Sequence, residues 1–90
     1  MPKIDINDQS LPLIKSGLEL KKSGLAFKLK KYQKKLKEFE KQYNMSSEDF
    51  MKKFKAGQLG DEAYLLDWEY LIEAVKETKK QLEELEQVKI

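Results

Sequence analysis

Cysteine, histidine and arginine are all missing from these 90 residues, and each absence removes a class of chemistry. Without cysteine there is no disulfide and no thiolate metal site. Without histidine the chain lacks both the commonest metal ligand and the one unperturbed side chain that titrates near neutrality. Without arginine it lacks the planar fork that grips phosphate or guanine bidentately, so all eighteen basic residues are lysines acting as hydrated point charges. Only four glycines and two prolines punctuate the chain. No apolar run approaches the ~18 residues that cross a bilayer, and no signal-peptide pattern opens the sequence, so the expectation is a soluble cytoplasmic protein.

What remains is a charged, helix-favouring composition: 38% charged and 40% apolar residues, the balance of a helical bundle or coiled coil. Ninety residues make one small domain, which buries a modest fraction of its surface and is only marginally stable alone. Leu25, Leu29, Tyr32, Leu36, Phe39 and Tyr43 are spaced 4-3-4-3-4, an a/d seam that predicts a helix over residues 23–43 packed against another helix. Asn44 is a suitable left-handed stop. Ser46 is a good N-cap, with Asp49 at the third helical position and Met45 and Phe50 placed as a hydrophobic staple. These mark a short helix over 47–56, which Gly57 ends. A third helix is expected over 61–88, with Leu65, Trp68, Ile72, Val75 and Leu82 as its inner stripe.

The fold expected is therefore all-α: an antiparallel helical hairpin, long-short-long, forming one domain over residues 21–90. Residues 1–20 read as a separate N-terminal arm. Ile4 and Ile6 alternate with polar neighbours, and Gly17 and Gly24 weaken helix through Leu13–Ser23. An extended or frayed arm fits this stretch, although Pro12 suits a first helical turn if Ser10 or Leu11 caps it.

Charge is segregated. Residues 1–42 hold eleven lysines against five acids, and residues 43–90 hold seven against eleven. The plainest use of this asymmetry is pairing across the hairpin. A second is a basic stripe on the first helix, including Lys28, Lys31, Lys34 and Lys35, which would attract nucleic-acid backbone in a salt-dependent way. Ser46–Glu73 has the outline of a helix-turn-helix, but its second helix leads with Asp61, Glu62, Asp67 and Glu69, which repel phosphate. The same carboxylates lack the concave, desolvated setting that acid–base or metal chemistry requires. No phosphate loop and no nucleophile–base pair occurs. The expectation is a non-enzymatic protein with no cofactor and no metal.

Some apolar residues fall off the seam. Phe27, and Leu20 if the helix reaches that far, point opposite Leu25; Leu66 and Tyr70 are four apart and away from the Trp68–Ile72 stripe. Such residues suit a protein partner, a second copy, or coverage by the N-terminal arm.

The block Phe39-Glu40-Lys41-Gln42-Tyr43-Asn44-Met45-Ser46-Ser47-Glu48-Asp49-Phe50, followed by Phe54-Lys55-Ala56-Gly57-Gln58-Leu59-Gly60-Asp61-Glu62 and Trp68-Glu69, resembles a family of short archaeal and bacterial proteins with the pattern FExKYGMSSEEFxxKFxxGELGDDxxxFEW. Members are encoded beside a small toxin and are read as antitoxins of toxin–antitoxin pairs. The resemblance spans residues 36–75; this chain departs at Asn44 and Gln58, where Gly and Glu are expected, and at Leu66-Asp67. It implies inhibition by binding a small toxin-like protein. On that reading Leu66, Trp68 and Tyr70 are candidate anchors, Phe27 extends the surface, and Glu69, Glu73 and Glu77 offer a row of carboxylates to a basic, nuclease-type cleft. The alternatives are a lysine-rich nucleic-acid-associated regulator and a structural helical homo-oligomer.

Overall fold

The computed structural model describes residues 10–88. Three helices follow one another: α1 over Leu11–Tyr43, α2 over Ser47–Lys55 and α3 over Ala63–Glu86. The long helices α1 and α3 pack along each other and α2 lies at the bend, so the all-helical hairpin expected from the periodicity is what forms. The described residues extend 57 × 28 × 19 Å. The alternation at Ile4 and Ile6 lies outside the described residues.

The first helix departs from expectation at its start. It begins at Leu11, not near residue 23, with Pro12 in its first turn, so residues 11–20 are helical rather than an extended arm. Two interior glycines each cost a helix about 1 kcal/mol relative to alanine. Against that, Leu11, Ile14 and Leu18 carry the seam of Leu25 back towards the N-terminus, and all three are partly buried. Packing therefore outweighs intrinsic propensity.

The bend is built by local chemistry. Asn44 adopts φ +49°, stopping α1 in the left-handed region. Ser46 caps α2 by accepting from the Asp49 N–H at 3.1 Å. A second first-turn donor, the Ser47 N–H, is taken by the Glu40 carboxylate of α1 at 2.7 Å. At the other end Gln58 N–H bonds the Lys53 carbonyl and Gly57 N–H bonds that of Phe54, the paired bonds of a Schellman cap. Gly57 takes φ +70° to make them. The last helix starts slightly later than expected: Asp61 and Glu62 precede its first turn instead of lying in it, Glu62 being the extended N-cap residue.

The core lies at the bend. Phe50, Leu65, Trp68 and Ile72 are buried together, with Leu36, Phe39, Tyr43 and Phe54 packed around them. Trp68 is its centre: its ring stacks on Phe50 at 4.2 Å and on Phe39 at 5.5 Å between centroids. Further along, Leu71, Val75 and Thr78 of α3 and Leu25 of α1 are buried. The Thr78 hydroxyl is satisfied by the Ala74 carbonyl at 2.7 Å.

Charge pairing across the hairpin does not form. The ion pairs among the described residues, Lys22–Glu19 and Lys76–Glu73, each join two residues of one helix, and none links α1 to α3. The seam positions that face α3 are taken by leucine and aromatic side chains, which leaves Lys28, Lys31, Lys34 and Lys35 turned to solvent.

Candidate protein-binding surface

The burial pattern of α3 divides the candidate residues. Leu65, Trp68, Leu71, Ile72 and Val75 face inward, whereas Leu66 and Tyr70 are 64% and 61% exposed. Glu73 and Glu77 are exposed as well, and Glu69 is half-buried. Residues four apart on a helix share a face, so Leu66, Tyr70, Glu73 and Glu77 make one strip of two apolar anchors followed by two carboxylates.

Trp68 does not belong to that strip. It is wholly buried, and its indole N–H donates to Ser47 Oγ at 2.9 Å. As an anchor for a partner it is therefore withdrawn: the residue that the resemblance offers as an interface aromatic is the keystone of the core.

Leu66 and Tyr70 open onto different concavities. Leu66 lines a hollow of about 370 Å³ at the bend, with Phe54, Leu59 and Leu65. Tyr70 lines a groove of about 360 Å³ between α1 and α3, in which Lys28 and Tyr32 form one wall and Glu73 and Glu77 the other. The groove brings a lysine of the basic stripe to the acidic strip without closing an ion pair between them. Such a groove has both signs of charge and an aromatic floor, which suits a protein partner better than a polyanion. Lys31, Lys34 and Lys35 are exposed on α1 and do not line it.

Phe27 is 69% exposed, as expected from its position opposite Leu25. The helix does reach back past Leu20, which is 75% exposed in line with Phe27, and the structure adds Leu13, seven residues earlier and equally exposed. Leu13 is legible only once the helix is known to reach back to Leu11.

Among the described residues no cluster of three carboxylates converges closely enough to hold a metal ion. No helix is long and apolar enough to cross a membrane, again among the described residues. The titratable group moved from its ordinary value is Tyr64: burial raises its pKa above 10.0, and the Glu62 carboxylate and the Tyr43 phenol push the same way. Its ring stacks on Tyr43 at 4.3 Å, so the shift belongs to the aromatic core and not to a reactive site.

Comparison with known proteins returns no matching family model, no matching curated protein and no matching solved structure.

Proposed function

We propose that this chain is a non-enzymatic, cytoplasmic protein-binding module, an antitoxin-like inhibitor that masks a small basic partner protein. The observation that carries the reading is the α3 strip: Leu66 and Tyr70 stand exposed in line with Glu73 and Glu77. Neither carboxylate closes an ion pair with α1, although Lys28 lies across the groove and Glu73 pairs with Lys76 of its own helix. Exposed apolar anchors in line with charged groups are what a complementary protein surface recognises, the anchors giving affinity and the charges steering and register. The resemblance over residues 36–75 supports the same reading. Glu69, half-buried, extends the acidic row towards the bend.

The test is affinity capture with the tagged full chain from its native lysate, nuclease-treated and washed at high salt, in parallel with a Leu66→Asp/Tyr70→Asp variant. The expected result is one near-stoichiometric small basic protein on the parent chain and its loss on the variant. Recovery of the bait alone, or equal capture by the variant, overturns the proposal.

A second reading rests on the exposed, unpaired Lys31, Lys34 and Lys35. On it, α1 contacts nucleic-acid backbone, and binding falls steeply between low and physiological salt.

A further inference from the structure

On α1, Leu13, Gly17, Leu20, Gly24 and Phe27 are spaced 4-3-4-3, a second heptad track beside the one that packs on α3. Its large members are the most exposed apolar side chains of the helix. Its small members are hollows: a Cβ built on Gly17 or Gly24 meets nothing within 4 Å, and the two glycines floor a shallow groove of about 320 Å³. Neither glycine has positive φ, so the backbone does not require them. In a helix they cost stability, and nothing within the hairpin fills the space they leave.

We propose that residues 13–27 of α1 pair antiparallel with the same segment of a second copy, Leu20 and Phe27 of each chain seating over Gly24 and Gly17 of the other. Three observations select this occupant. The first is shape. In an antiparallel pair centred on residue 22, each knob meets a hollow, and the glycines let the two backbones approach closely. A parallel in-register pair sets hollow against hollow. A staggered parallel pair matches knobs to hollows but is head-to-tail and does not close.

The second is charge. The apolar track stops at Phe27, and the same track continues as Lys31 and Lys34 within a block of seven lysines from Lys28 to Lys41. Parallel pairing lays the two blocks side by side. Antiparallel pairing about residue 22 carries the bulk of each block to opposite ends, with the Lys31 stem level with Leu13 of the second copy, which it can cover. It leaves Lys21 and Lys28, the exposed lysines that edge the glycine groove, as rim charges.

The third is area. The track is about 21 Å long at 1.5 Å per residue and presents three large side chains per copy, placing the contact at the low end of specific interfaces, below about 1,200 Å² in total. The dimer is therefore reversible and depends on concentration. Because the pairing uses α1 alone, it stands or falls separately from the α3 reading.

The experiment is sedimentation equilibrium of the full chain from micromolar to near-millimolar concentration, with Leu20→Lys, Gly17→Gln/Gly24→Gln and Gly17→Leu/Gly24→Leu variants alongside. The expected result is a monomer–dimer equilibrium whose dissociation constant rises by roughly tenfold or more in Leu20→Lys, with unchanged helical circular dichroism. Polar filling of the hollows in Gly17→Gln/Gly24→Gln raises the same constant while raising the melting temperature of the monomer, an opposite-sign pair that general destabilisation does not produce. The Leu pair instead completes an apolar heptad track and serves as the control in which association persists without the hollows.

Because the chain has no cysteine, orientation reads out cleanly. Leu20→Cys mixed with Gly24→Cys oxidises to a cross-linked pair faster than either variant alone, and Lys34→Cys does not cross-link. A monomer at every concentration overturns the proposal. So does a dimer indifferent to Leu20→Lys, or ready cross-linking of Lys34→Cys, which marks a parallel pair.

Discussion

Trp68 and Ser47 join across 21 residues of sequence through one hydrogen bond, the indole N–H donating to the serine hydroxyl oxygen at 2.9 Å. The backbone N–H of the same serine donates to Glu40 at 2.7 Å. One residue at the first turn of α2 therefore ties α3 through its hydroxyl, which accepts from the indole, and α1 through its backbone N–H, which donates to the carboxylate. The bend is held by directed bonds as well as by stacking.

Replacing Ser47 with alanine leaves the Trp68 N–H buried without an acceptor. A buried orphaned donor costs about 1–3 kcal/mol. In a domain of this size each kcal/mol lowers the melting temperature by roughly 4–8 °C. The expected outcome is a clear drop in thermal stability for Ser47→Ala and recovery in Ser47→Thr, read by circular dichroism; an unchanged melt removes the bond from the stability of the bend.

Trp68 and Leu66 are predicted to separate core from surface. Trp68→Ala empties the centre of the aromatic stack and costs about 3–5 kcal/mol, a large share of the stability of a small domain. Leu66→Asp, at an exposed position, shifts stability by under about 0.5 kcal/mol. Urea denaturation of the two variants distinguishes them, and equal losses would mean that Leu66 is also core.

Glycines of the two kinds respond oppositely. Gly57 needs φ +70° to complete its cap, and Gly57→Ala is expected to destabilise by about 1–2 kcal/mol. Gly24 sits in helix with open space above it, so at concentrations where the chain is monomeric Gly24→Ala is expected to stabilise by about 0.5–1 kcal/mol. Melting curves moving the same way for both would contradict this.

Alkaline titration gives the pH dependence. Tyr64 has a folded pKa above its ordinary 10.0, so the folded state holds this proton more tightly than the unfolded state does. Its contribution is complete below pH 10.0 and is lost as pH rises through the raised folded value. Tyrosinate absorbance of the native chain is expected to show a phenol titrating above pH 10.0 that Tyr64→Phe removes.

Ionic strength should matter little to the fold. With the ion pairs of the described residues confined to i,i+3 contacts on exposed surface, added salt screens interactions that contribute about 0–1 kcal/mol each. A melting temperature that falls sharply with salt would instead reveal pairing between α1 and α3.

Much of the fold was legible in the sequence because its signals are local. The 4-3-4-3-4 seam, the Ser46 cap and the Gly57 stop are each set by residues within a few positions of one another, and each is found where expected. The start of α1 was not legible. Two glycines lowered the helical expectation, while the support from Leu11, Ile14 and Leu18 belongs to a tertiary seam. The candidate surface was legible in part. Periodicity separated Leu66 and Tyr70 from the core and set Trp68 on the inner stripe; it was the resemblance that offered Trp68 as an anchor, and its complete burial decides for the core.

Sequence alone determined the helical class, the order long-short-long, the caps at the bend and the absence of cysteine and histidine chemistry, since these follow from composition and local spacing. Tertiary structure decided what the charges and aromatics are for. It put Trp68 at the centre of the core, left the lysines of α1 without an ion pair to the carboxylates of α3, and exposed Leu13, Leu20 and Phe27 in a row beside two empty glycine hollows. The reason is geometric: a side chain's partner depends on the rotation and reach of its whole helix relative to another, a property that no short window of residues contains.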